Sequence, residues 1–441
     1  MPNSFESFIT ENAEAEISRL LLSRKHWPSP DDQSLGSFDG KELAVNTIEA
    51  RKKLRDKVPE WYSRTSLVYP NSLCAEQCSS SVTAHYKAAL AGRILSLSGV
   101  EGGRIADLTG GLGVDSSAFA TVASEVLYCE RDRDLYLAAC HNFRELGAGN
   151  IRLVNGDVSL STLGDILRGF SPDIIYLDPA RRTGDGGRVL SIEDSSPDVV
   201  ALVPDLFARS GNILVKISPM EDIGLSVEKL NRSYEAFLEA SSWTGWNHNW
   251  VREVHVVATG GECKELLIWM DREWDGEYTV ICREDGGSLP FGKGELSGAR
   301  ASFLDAARVR FLLEPGKSIL KAQACNVLCE RFGLVKLARS THLLSFNEVL
   351  SEEEARSRLG ILAGMGRLYE IEEVLKMGKA AFRDIGKRFP RSEVTARNIP
   401  LSSVELRKRL GVGSGDDAHI FGVRIETPFE SANFLLVGHR I

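Results

Sequence analysis

Four acidic residues in this 441-residue chain each close a short apolar run. Such acids at strand ends are what a nucleotide-type ligand needs from a parallel sheet. Arg104-Ile105-Ala106-Asp107 leads into Leu108-Thr109-Gly110-Gly111-Leu112-Gly113-Val114-Asp115. Glycines there allow positive φ and close approach of a ligand, and the next helix would start with free N–H donors. Glu125 to Cys129 is a second apolar run ending in Glu130, about 20 residues on, where a ribose hydroxyl takes a carboxylate partner. Ile151 and Leu153-Val154 precede Asn155-Gly156-Asp157, the position for an adenine ring, and Ile174 to Leu177 runs into the turn Asp178-Pro179-Ala180-Arg181.

This order of parts resembles the class I S-adenosylmethionine-dependent methyltransferases. The dehydrogenase fingerprint G-x-G-x-x-G is absent, and an acid in the first turn would repel a pyrophosphate while accepting hydrogen bonds from an ammonium group or its water. The resemblance implies S-adenosyl-L-methionine as cofactor, held by Asp107, Thr109, Gly110, Gly111, Gly113, Asp115, Glu130 and Asp157. A catalytically silent α/β scaffold is the alternative.

Composition sets limits on everything else. Hydrophobic content of 43% with 26% charged residues is that of a globular protein, and the length calls for two to four units. No run approaches 18 apolar residues, and Met1 to Glu6 lacks a basic and then apolar leader, so neither a membrane span nor a signal peptide is expected and the location is read as cytoplasmic. Eight scattered cysteines are read as free thiols, with Cys74/Cys78 and Cys325/Cys329 half-buried on helices rather than metal ligands. Net charge is −8, yet Lys376 to Arg409 holds ten basic residues against three acids. Such a segment can hold a phosphate backbone, with Lys387, Arg388 and Arg391 as contacts, or be a solvated face of two amphipathic helices.

The elements that must position these groups follow from periodicity. Residues 1–90 read as a helical cap, with apolar positions from Phe5 to Leu22 and from Leu43 to Val58. The Ser/Thr-rich stretch around Gln77 and Thr83 is either a helix N-cap or a segment that folds over the site, with Gln77 and Thr83 as substrate contacts in the second case. Asn212 to Ile217 is a fifth strand carrying Lys216, with a helix over Pro204 to Arg209 before it. Glu253 to Ala258 and Glu265 to Met270 form a hairpin across a six-residue link, because parallel neighbours would need a crossover. Tyr278 to Cys282 reads as a strand, Glu284 to Gly298 as a loop and Ile319 to Arg331 as one helix. The last hundred residues mix short helices with strands at Ile420 to Ile425 and Phe434 to His439.

Several separate motifs then sharpen the resemblance: Leu73 to Ala89, Asp107 to Asp115, Asp178 to Arg182, Gly260-Gly-Glu-Cys-Lys-Glu265, Glu314-Pro-Gly-Lys-Ser-Ile-Leu-Lys-Ala322 and Pro400 to Arg407. Together they look like the bacterial THUMP-like-domain methyltransferases. That resemblance implies an α/β fold with a Rossmann-like class I core closed by an antiparallel hairpin, and small C-terminal α+β domains. The expected parts are an N-terminal helical region (1–90), a methyltransferase core (91–274), a ferredoxin-like domain (275–335) and a THUMP-like domain (336–441). THUMP domains are associated with RNA, so tRNA or rRNA is the expected partner.

Chemistry is then expected at Asp178-Pro179-Ala180-Arg181. The sulfonium is an activated donor, so positioning the acceptor supplies much of the rate. Asp178 and the Pro179 carbonyl can orient an exocyclic amine, and Arg181 can stack on a base or hold a phosphate where amino-methylating enzymes commonly carry an aromatic residue. The turn also looks like that of the uridine-C5 RNA methyltransferases, which need a cysteine after the fifth strand. This chain has Lys216-Ile217-Ser218-Pro219, which favours nitrogen over carbon and leaves Lys216 as a substrate contact. A weakly catalytic RNA-binding protein, or an enzyme acting on a protein or small molecule, are the other readings.

Overall fold

The computed structural model describes residue 15 and residues 40–181, 192–240, 249–348 and 350–441. Apart from residue 15, the helix expected over Phe5 to Leu22 lies outside the described residues, as does Arg182. Contacts divide the chain into two compact units, Met1–Arg252 with Leu267–Gly276 and Glu253–Leu266 with Glu277–Ile441.

The first unit is built on parallel strands β1 (Arg104–Asp107), β2 (Glu125–Glu130), β3 (Ile151–Asn155), β4 (Ile174–Leu177) and β5 (Asn212–Ile217). All four residues of β4 and five of six in β2 are buried, as expected for strands covered on both faces. They lie in the order β3-β2-β1-β4-β5. Of the next two strands, β6 (Val251–Thr259) and β7 (Glu262–Asp271), β7 follows β5 and its hairpin partner β6 follows β7. The chain order therefore steps outward from β1 to β3, returns to β4 beside β1, and ends in the predicted hairpin. That reversal beside β1 is the switch point at which open sheets bind ligands beyond their carboxyl ends.

Helices α1 (Gly40–Leu54), α2 (Ser81–Leu97), α3 (Val114–Phe119) and α4 (Arg133–Leu146) belong to this unit. Leu43, Ala44 and Val68 pack against Ala138 of α4. The buried Asn142 side chain of α4 holds both backbone groups of Val68 at 2.9 Å, so the N-terminal segment is tied to the sheet's helix layer. Helix α5 (Val199–Phe207) begins five residues before the expected start at Pro204, because Asp198 caps it by accepting from the Ala201 N–H. Pro204 then lies inside the helix, a placement the periodicity alone did not suggest.

In the second unit, β6 pairs in parallel with β8 (Thr279–Glu284), and β8 pairs antiparallel with β9 (Gly287–Gly292). The expected loop from Glu284 to Gly298 is thus mostly a hairpin followed by a short helix at Lys293–Gly298; Pro290 and the glycines masked the strand. A seven-stranded sheet follows, made of β10 (Phe311–Pro315), β11 (Val335–Lys336), β12 (Leu344–Ser345), β13 (Gly366–Lys376), β14 (Glu393–Arg397), β15 (His419–Glu426) and β16 (Ser431–Arg440), in the order β11-β12-β10-β13-β16-β15-β14. The single helix expected over Ile319 to Arg331 is two helices, Lys317–Lys321 and Cys325–Phe332, separated where Gln323 takes φ 57°. All eight cysteines are free, and Cys74, Cys325 and Cys329 are buried. No helix among the described residues is long and apolar enough to cross a membrane.

One cluster centred on Leu312, Tyr369, Phe421 and Leu436 forms a core of this sheet. A second, with Ile385, Leu406, Leu410 and Leu435, holds helices α7 (Lys379–Arg388) and α8 (Ser403–Leu410), numbered after α6 (Ile223–Ala240). The two helices meet at Gly386, where a Cβ would lie 1.9 Å from the Leu410 carbonyl oxygen. Backbone cannot yield there as a side-chain tip would. Gly386→Ala is therefore expected to destabilise the second unit by about 3 kcal/mol or more, in the range of severe overpacking, and urea unfolding followed by circular dichroism would measure it.

Candidate functional site

The glycine turn after β1 is closed differently at each of its glycines. A Cβ on Gly110 would lie 2.2 Å from the Tyr128 ring, and one on Gly113 2.5 Å from that of Phe143. Both glycines therefore serve packing inside the protein. Tyr128 and Phe143 meet edge to face, and the Tyr128 hydroxyl donates to the Gly111 carbonyl at 2.6 Å. Gly111 differs: its φ is +52° and a Cβ would find only the Thr109 carbonyl, 3.9 Å away. The open face of the turn is at Gly111, the position at which a ligand can approach the backbone.

Asp107 lies beneath the turn, 1% exposed. Its Oδ1 accepts from the Thr109 N–H at 3.1 Å and its Oδ2 from the Ser116 hydroxyl at 2.5 Å. Burial pushes its carboxyl up to about 7, with Asp115 and Asp178 adding repulsion against the two hydrogen bonds. Asp107 thus organises the turn with both oxygens. Glu130 ends β2 with one oxygen accepting from Gly111 N–H and the other from Asp132 N–H, both at 2.7 Å. Burial raises its carboxyl as well. Asp157 is exposed beyond β3, with its carbonyl capped by Thr162 Oγ1 at 2.6 Å.

Asp115 points into the protein. Its Oδ2 accepts from Ser79 at 2.9 Å and from the Tyr176 hydroxyl at 3.0 Å, while Oδ1 stands 3.2 Å from Lys87 Nζ. Lys87 is fully buried and also donates to Ser79 Oγ at 2.9 Å. The expectation that Asp115 faces a cofactor gives way to a different role: it fastens α2 and the segment before it to the turn. Thr83 is 2% exposed and its hydroxyl donates to the Ser80 carbonyl at 3.1 Å, while Ser80 accepts from its N–H. Thr83 therefore completes the N-cap of α2, buried beside Ser80. Gln77 is exposed at the end of the preceding helix, Ser72–Gln77.

At the acceptor side the turn after β4 is joined to the glycine turn. The Asp178 N–H donates to Thr109 Oγ1 at 2.6 Å. Asp178 Oδ2 and Lys216 Nζ form an ion pair at 2.5 Å, with the side chains 33% and 16% exposed. Sequence reading treated these two as separate contacts; the register of β4 beside β5, with Leu177 opposite Val215, brings them together. Pro179 is half-buried beside them. Ala180 and Arg181 form a two-residue antiparallel ladder with Ser195 and Ser196.

The basic C-terminal segment is less basic in space than in sequence. Lys376 pairs with Glu430, Arg388 with Glu373 and Asp384, Arg391 with Asp416, Arg397 with Glu314 and Arg407 with Glu393. Arg388, expected to touch a phosphate, is instead committed to two carboxylates, one of them on β13. Lys379, Arg383 and Lys387 recur every four residues along α7, and with Lys408 and Arg409 they are exposed. Among the described residues these five make no ion pair within 4.0 Å, and four of them were not singled out as contacts because local counting cannot see partners on distant strands.

A family model described as THUMP domain-like matches residues 366–440, and one described as a ferredoxin-like domain matches residues 311–352. The chain is similar over 98% of both lengths to a crystal structure from Porphyromonas gingivalis W83, provisionally named a methyltransferase, with 28% identity and a TM-score of 0.74. It is also similar to an RNA methyltransferase from Salinibacter ruber in complex with S-adenosyl-L-homocysteine (18% identity, 42% of this chain and 90% of that one, TM-score 0.25) and to an rRNA methylase from Streptococcus thermophilus (12%, 42% and 94%, TM-score 0.28). No curated protein matches this chain. The fold is mixed α/β with a Rossmann-like core of the methyltransferase type, N-terminal helices, and ferredoxin-like and THUMP-like domains toward the C-terminus.

Because the folded Asp107 carboxyl titrates near 7, well above an unfolded aspartate, the folded state binds a proton more tightly than the unfolded one. Stability contributed by that proton is present at low pH and is lost as pH rises toward and through 7, at about 1.4 kcal/mol per pH unit within the window. Asp107→Asn removes the titration. Thermal melts between pH 5 and 8 should show the variant gaining on the native protein as pH rises, and a constant difference would contradict the assignment.

Proposed function

We propose that this chain, with its methyltransferase-type core and its THUMP-like domain, is an S-adenosylmethionine-dependent methyltransferase that acts on a nitrogen of an RNA base. The observation that carries the reading is the junction of the two turns: Thr109 Oγ1 receives the Asp178 N–H at 2.6 Å, so the glycine turn and the acceptor turn are set as one unit. The full-length likeness to the Porphyromonas gingivalis protein, the THUMP-like domain and the exposed cations of α7 and α8 support it.

The residues present fit the cofactor. Buried acids around an open Gly111 favour a cation, and the cofactor carries an ammonium and a sulfonium. In this reading Asp107 and the turn from Thr109 to Gly113 hold the amino-acid end, Glu130 reaches the ribose and Asp157 lies by the base. When bound, the cofactor supplies an electrophilic methyl group. Asp178, steadied by Lys216 and Thr109, accepts a hydrogen of the incoming amine and turns its lone pair toward that methyl. As the new C–N bond forms, the methyl–sulfur bond of the bound donor would break with its electron pair left on sulfur, and the amine would lose one proton, which the carboxylate passes to solvent.

Nitrogen is preferred to carbon because the thiols near the turns are poor nucleophiles. Burial pushes Cys78 up to about 11 and Cys129 up to about 12, so neither is a thiolate at neutral pH. The organisation we propose places helices before about residue 90 and the core up to 274, with the ferredoxin-like part from 275 to 335 and the THUMP-like part from 336. One observation favours a second reading, a protein or small-molecule acceptor: half of the ten cations between Lys376 and Arg409 are already paired.

The test is transfer from isotopically labelled S-adenosylmethionine to RNA from cells lacking the protein, read as labelled nucleosides by mass spectrometry. A labelled N-methyl nucleoside is expected, and Asp178→Ala should lower its rate about 100-fold or more, the scale of a lost positioning group, while cofactor binding stays within about threefold. Labelling of protein in place of RNA would favour the second reading.

A further inference from the structure

Three motifs take no part in the site above: Gly260 to Glu265, Glu314 to Ala322 and Pro400 to Arg407. In the second unit, residues of the first two and the strand leading to the third meet around one carboxylate. Glu314 lies opposite Arg367 in the β10–β13 ladder, its side chain 14% exposed. Arg397, the last residue of β14, places Nη2 2.7 Å from Glu314 Oε1, and the Arg367 guanidinium stands 3.9 Å from Oε2. Arg367 also acts electrostatically on the Tyr369 hydroxyl. The tip of the β6–β7 hairpin closes on the same guanidinium: Gly261 has φ +77°, and a Cβ there would come 3.2 Å from Arg367 Nη2.

Two non-glycine residues with left-handed backbone stand on loops nearby, His342 and Asn398, both with φ 54°. Asn398 Nδ2 lies 3.4 Å from Thr341 Oγ1, which joins the loops. Lys336 and Arg397 both act electrostatically on His342, so this region gathers positive charge. Arginines in general are solvated surface, and these two remain about half exposed, at 54% and 41%. What sets them apart is the way they are held. Two like charges are drawn together by a single, largely buried carboxylate, which neutralises one of them and leaves both guanidinium groups partly exposed.

We propose that Arg367 and Arg397 form a phosphate site that grips one phosphate of an RNA strand through their guanidinium forks, with Glu314 as their positioning residue. This rests on the RNA reading above. It differs from the α7 and α8 cations, which would attract a backbone by charge alone.

The discriminating substitution keeps the charge and removes the fork, since lysine is a point charge. Binding of a fluorescein-labelled single-stranded oligoribonucleotide to the full chain would be followed by anisotropy for the native protein, Arg367→Lys, Arg367→Gln, the double variant Glu314→Gln/Arg397→Gln and Lys387→Gln. Arg367→Lys is expected to lose about tenfold or more, close to Arg367→Gln, as a lost bidentate contact requires, with unfolding midpoints unchanged. The double variant removes both members of the pair, so no lone buried carboxylate remains to unfold the protein, and it should lose a similar factor. Lys387→Gln should lose less and lower the salt slope by about 0.7, the value for one phosphate on a single strand.

If Arg367→Lys binds as the native protein does, the site is overturned while the RNA reading stands. If the native protein binds no RNA, titration with inorganic phosphate separates two cases. Binding that Arg367→Lys abolishes keeps a phosphate site with a small ligand and removes the RNA reading; no binding of either overturns both.

Discussion

A surplus of buried negative charge at the carboxyl ends of β1, β2 and β4 governs the first unit. Asp115 and Asp178 both add to the cost of ionising the buried Asp107, and two ammonium groups pair with those two neighbours: Lys87 with Asp115 and Lys216 with Asp178. Among the described residues, Asp107 makes no ion pair. It holds a proton to about pH 7 instead, which is what burial does to a carboxyl without a counter-ion. In the reading proposed above, that unanswered acid favours a positively charged ligand at the turn.

The same charges explain how the N-terminal helices are joined to the sheet. Lys87 is fully buried in α2, and such a group is tolerable only with its partner in place. Asp115, Ser79 and Tyr176 provide that surround, so α2 cannot shift without exposing an unpaired ion to apolar contacts. The Ser/Thr-rich segment is therefore joined to the glycine turn's helix through Ser79, while Thr83 is part of the α2 cap.

The second unit applies a similar device with the cations in excess. Glu314 is the buried acid there, and cations from β13 and β14 converge on it. Many of the charges that look like an unbroken basic run from Lys376 to Arg409 are satisfied by acids on neighbouring strands. What is left for a partner is a narrower set, divided between the exposed faces of α7 and α8 and the two arginines at Glu314.

The parallel core, its order of acids, the closing hairpin and the basic character of the C-terminal segment were all legible in the sequence, because each depends on local pattern: apolar runs of strand length, glycines at a turn, a link too short for a crossover. Some boundaries were missed for equally local reasons, such as Gln323 in a left-handed conformation breaking a helix and Pro290 concealing a strand. The roles of particular side chains were decided elsewhere. Whether Asp178 stands alone or beside Lys216 depends on the register of β4 against β5, and whether Arg388 is available depends on Glu373 of a strand fifteen residues earlier. Sequence by itself determined which chemical groups this protein possesses and roughly which strand ends carry them. Tertiary structure decided which charges are spent on one another and which remain for a ligand, because electrostatic pairing is set by distance in space and by burial, and neither is a property of spacing along the chain.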